Sequence, residues 1–77
     1  MIVEADEELR NSLRDIKRQK HFDGRYVIQL KSEIFIAQKM NVGSETIKKI
    51  IDEIGFDEPI RSVLREFAGI GQTTIVH

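Results

Sequence analysis

The sequence predicts a mainly α-helical fold with minor β, about four helices plus one or two short strands, in a single small domain over residues 1–77. Three observations lead there. Apolar residues recur at helical spacing in three separate stretches, around Leu13, Ile50 and Leu64. The segment RYVIQL, residues 25–30, instead alternates Tyr26, Ile28 and Leu30 and is rich in strand formers. Finally, 77 residues leave room for only one core, burying about 60% of the surface the unfolded chain exposes, so help from a partner subunit is expected.

The first helix is expected from about Glu4 to Lys20. Leu9, Leu13 and Ile16 share a face, with acids crowding the first turns and bases the last, as the helix dipole favours. Another helix is expected over Ser44–Ile54, burying Ile47, Ile50, Ile51 and Ile54 and stopping at Gly55, which can take a left-handed cap. A third starts at Asp57 as N-cap with Pro59 in its first turn. It repeats the spacing with Ile60, Val63, Leu64 and Phe67 and ends near Gly69. The short connection makes the last two an αα-hairpin sharing one core with the first helix.

The middle of the chain has two readings. After the turn-like Asp23-Gly24, residues 25–30 form a short strand. Residues 33–40 then form a helix capped by Ser32, with Phe35 on its exposed side. Alternatively Ile34-Phe35-Ile36 pairs back on Tyr26–Leu30, giving an α+β fold with a hairpin at residues 25–37, although Lys31-Ser32-Glu33 lacks the Gly or Asn of tight hairpins.

Composition narrows the function classes. With no cysteine there is no disulfide framework or thiolate metal site, and His21 and His77 are too far apart in sequence for a local metal motif. No nucleophile–base pair or phosphate loop stands at a recognisable spacing, so neither an enzyme nor a cofactor is expected. No apolar run of about 18 residues exists, and acids stand in MIVEADEEL where a secretory signal would carry bases, so a cytoplasmic protein with no membrane contact is expected. The net charge of −1 conceals an uneven distribution. Residues 10–31 carry seven bases against two acids, whereas residues 44–66 carry six acids against four bases.

The stretch EIFIAQKMNVGSETIKKIIDEI, residues 33–54, places Ile36, Met40, Val42, Ile47 and Ile50 where a turn between two helices buries side chains. Ala37 is the small residue at their crossing, and Asn41 is tolerant of positive φ in the turn. Ser44 is the candidate N-cap of the second helix. This spacing resembles the helix-turn-helix of bacterial and phage DNA-binding regulators, and the preceding helix and strand resemble the front of a winged-helix domain. The resemblance covers roughly a third of the chain, and the helix expected near Glu58–Ala68 replaces the two-stranded wing. It implies a regulator that reads double-stranded DNA through Ser44, Glu45, Thr46, Lys48 and Lys49, with Arg14, Lys17 and Arg18 of the first helix assisting on phosphate. LREFAGIGQTT adds a second, weaker likeness to the hairpin of helix-hairpin-helix backbone binders.

A different class of function fits the same composition. A phage- or plasmid-type modulator that binds a host protein would use the basic first half and acidic second half to dock complementary surfaces. A homodimer is expected through the C-terminal third, because Ile60, Val63, Leu64 and Phe67 need a covering surface and the β-branched tail 73–76 has no obvious strand partner except Tyr26–Leu30 or its own symmetry mate.

Overall fold

Four α-helices follow one another in the computed structural model, which describes residues 4–19 and 24–70: α1 Ala5–Gln19, α2 Gly24–Lys39, α3 Ser44–Ile54 and α4 Ile60–Ile70. Among the described residues there is no strand, so the fold is all-α. Both the strand expected at 25–30 and the alternative hairpin at 25–37 are replaced by one uninterrupted helix. The reason lies in which residues find the core. Tyr26, Leu30, Ile34 and Ala37 are buried, a stripe at i, i+4, i+8 and i+11, whereas Ile28 between the first two is 63% exposed. Spacing by four places three large side chains on one helical face, and that burial overrides the strand preference of RYVIQL. Ser32, expected as an N-cap, is an exposed interior residue of the helix.

α2 ends in a Schellman turn. The Val42 amide donates to the Ala37 carbonyl and the Asn41 amide to the Gln38 carbonyl, both at 3.0 Å, with Asn41 at φ 68°. Buried Ala37 and Val42 provide the apolar contact that accompanies this motif. The N-cap of α3 is Gly43 and not Ser44: Gly43 is extended, its carbonyl accepts from the Ile47 amide, and no side chain caps the end. α3 stops at Gly55, whose φ of 83° lets its amide donate back to the Ile51 carbonyl. Phe56 then turns into the core.

α4 begins later than expected, at Ile60, and Asp57 does not cap it through its side chain. Glu58 takes that role: its carboxylate accepts from the Ser62 hydroxyl at 2.6 Å, the Ser62 amide at 3.3 Å and the Arg61 guanidinium at 2.7 Å. These bonds, with Ser62 first and Arg61 second, hold the Glu58 carboxyl below the usual glutamate range. The lowered pKa means the contribution is complete above the ordinary glutamate value and is lost as pH falls through the lower folded one. A carboxyl-carbon NMR titration should find Glu58 as an acid-shifted glutamate, and Ser62→Ala should return it toward the ordinary range. At its other end α4 runs through Gly69 to Ile70, so the residues compared with a helix-hairpin-helix loop are still helical there. Gly71 and the tail 73–76 lie outside the described residues, as do His21 and His77.

The core is one cluster to which every helix contributes, with Leu13, Leu30, Ile34, Ile47, Ile50, Ile51 and Leu64 fully buried. α1 packs mainly on α2 and α3 on α4, so two αα-hairpins face each other. Leu64 and Ala68 of α4 are buried within the chain and Phe67 is half-buried against the same core. Ile60 is likewise half-buried against the core, while Val63 of the same stripe is 36% exposed; the tail 73–76, on which the expected dimer contact also rests, lies outside the described residues.

Candidate functional site

α3 is the helix on which base-reading residues were expected, and its surroundings determine what it can touch. On one side Glu53 accepts from Arg10 Nε at 2.8 Å and lies 3.6 Å from Arg14 Nη2, tying α3 to α1. On the other side Asp52 pairs with Arg65 of α4. α3 is thus tied by surface ion pairs to a neighbouring helix on each side, and Asp52 and Glu53 are engaged within the domain. Its outward face carries Glu45, Asp52 and Glu53 against Lys49.

The expected DNA contacts are dispersed around this helix. Thr46 lines a shallow hollow with Glu4, Asp6 and Gly43, so a phosphate approaching the start of α3 meets two carboxylates. Ser44 is half-buried in the first turn. Lys48 leans toward α4, its Nζ 3.6 Å from the position a β-carbon would take at Gly69. Lys49 is exposed on the outer face of α3. Arg14, Lys17 and Arg18 do come together, around Ile54 at the far end of α3, where Lys17 donates to the Ile54 carbonyl at 3.4 Å and Arg18 faces Asp15 at 3.8 Å. These bases complement the C-terminal end of the helix, where unpaired carbonyls carry negative charge.

The two outer positions of the proposed motif also differ from expectation. Ile36 and Met40 are 52% and 54% exposed, although Ala37, Val42, Ile47 and Ile50 are buried. The register of α2 is set by Leu30, Ile34 and Ala37, which turns Ile36 away from the core.

What that register creates is a second surface. Half of the sixteen residues of α2 are apolar, more than one buried stripe can hold, and Ile28, Phe35, Ile36 and Met40 face outward. Beside them runs the seam between α1 and α2. At one end Ala5, Glu8 and Leu9 oppose Ile36, Ala37 and Met40. At the other Ile16 and Gln19 oppose Ile28, Gln29 and Ser32, so the two helices are antiparallel. Glu33 reaches both hollows. Neither Glu8 nor Glu33 has an ion-pair partner among the described residues. Lys39 sits 5.2 Å from the centre of the Phe35 ring, a cation–π contact at the outer edge of the same face.

None of these seam residues was singled out from the sequence as a contact surface. The signal was available in the excess of apolar residues on α2, but only once the whole segment was read as one helix. Among the described residues no three His, Cys, Asp or Glu side chains gather as metal ligands. No helix among them is long and apolar enough to cross a membrane. Comparison with protein families, with curated proteins and with solved structures finds no match to the chain.

Proposed function

We propose that the chain is a small cytoplasmic interaction module that binds protein through the outer face of α1 and α2. The observation that carries this reading is the exposure of Ile28, Ile36 and Met40 along one seam, with Phe35 exposed on the same helix. Contiguous exposed apolar side chains rimmed by polar ones mark association surfaces, since covering them removes apolar area from water. A photo-crosslinking residue placed at Ile36 should give a discrete protein adduct in cells that make the chain, and the same group at Glu45 should not. Adducts of equal yield from both positions would sink the reading.

The duplex-DNA reading keeps one specific support, the α2–turn–α3 connection with Asn41 at positive φ. The two readings make opposite forecasts for the lysines of α3. Because α3 is flanked and its face acidic, Lys48→Glu with Lys49→Glu should leave association with random duplex DNA unchanged, and the unsubstituted chain should show no steep dependence on salt. A phosphate-binding surface shows a slope of about −0.9 per phosphate neutralised. A steep slope that the double substitution flattens would restore the DNA-binding regulator.

A further inference from the structure

We infer that the partner seated on the α1/α2 seam is a second copy of this chain, paired about a two-fold axis running parallel to the seam. The inference rests on the protein-binding reading above and names its occupant. Charge is what selects a self-complement. Along the seam α1 presents Glu8, Ser12 and Gln19 and α2 presents Ile28, Ile36 and Met40, while exposed Lys39, over the Phe35 ring, stands on α2 between Ile36 and Met40 in sequence. An acid, Glu8, thus stands on the α1 flank and a base, Lys39, beside the α2 flank at the same end of the seam.

Rotation about an axis along the seam leaves every residue at its own level and exchanges the two flanks. α1 of one copy then lies over α2 of the other. Glu8 is level with the Ile36–Met40 turn of its own α2, and Lys39 belongs to that turn. The exchange therefore brings each Glu8 to the Lys39 of its mate, twice per dimer. At the other end Ile16 and Gln19 come over Ile28 and Gln29 of the mate, apolar on apolar and amide on amide. The interface is isologous, as a closed dimer requires. One like-charge meeting remains: Glu33, midway along the seam, faces its own copy near the axis. Removing that charge should tighten the pair.

Sedimentation of the full chain at micromolar concentration provides the test. The unsubstituted chain should run as a dimer. Glu8→Lys alone and Lys39→Glu alone should each weaken association about tenfold or more, since each sets like charges opposite one another twice. An equimolar mixture of the two variants should dimerise again, because every contact then pairs opposite charges. Glu33→Gln should strengthen association. A dimer indifferent to both charge reversals would overturn the seam as its interface.

A monomer would overturn the second copy as occupant, and a dye then separates the two readings. If monomeric chain binds 8-anilinonaphthalene-1-sulfonate and Ile36→Ser with Met40→Ser abolishes the signal at unchanged circular dichroism, the seam is open to a different protein and the proposed function stands. If the monomer binds no dye there, both readings fall.

Discussion

Replacing Ser32 by proline should cost the fold about 3 kcal/mol or more, although the residue is exposed. The residue sits in the middle of α2, where its amide belongs to the helical ladder and a pyrrolidine ring would collide with the carbonyl of Ile28 one turn earlier. A domain of this size has a total stability of roughly 4–12 kcal/mol, so this single change removes a large share of it. At about 4–8 °C per kcal/mol, the thermal midpoint should fall by roughly 12–24 °C. The same residue would be the tip of the alternative hairpin at 25–37, where proline is well tolerated. A circular-dichroism melt therefore separates the two structures: an unchanged midpoint would mean that residues 31–33 form a turn. Ser32→Ala, which keeps the amide and raises helix propensity, should be harmless.

The second large effect is expected at Ile47. Its side chain is fully buried where α3 meets the rest of the cluster, and truncation to alanine should cost about 2–5 kcal/mol through lost burial and the cavity left behind. Ile28→Ala removes the same atoms from an exposed position and should change stability by about 0.5 kcal/mol at most. Chemical denaturation of the two variants compares identical chemistry at two depths. Equal costs would mean that α2 is rotated from the register described, with Ile28 facing in.

These two isoleucines also show why some of the fold was legible and some was not. α1, α3 and α4 each carry one apolar stripe and one polar face, so the 3.6-residue period stands out and their cores follow from it. α2 carries apolar residues around most of its circumference, which blurs that period. An alternation of Tyr26, Ile28 and Leu30 then competes with the i, i+4 relation of Tyr26, Leu30 and Ile34, and only packing against the other helices decides. The turn was readable for a local reason: Asn41 tolerates positive φ whatever the surroundings. The site was less so. Matching residues 33–54 to a helix-turn-helix assigns Ile36 and Met40 to the core by position in a template. Their exposure depends on where α1 lies, and no short-range pattern encodes that.

The arrangement of two αα-hairpins joined at Asn41 also bears on how quickly the chain reaches this structure. α1 finds α2, and α3 finds α4, across short stretches of chain, so most contacts join residues close in sequence. Little loop-closure entropy opposes their formation, and proteins built this way fold in microseconds to milliseconds. Such a chain spends little time with Ile28, Ile36 and the core isoleucines exposed together. That brevity limits aggregation in a protein whose second helix is sticky on nearly every side.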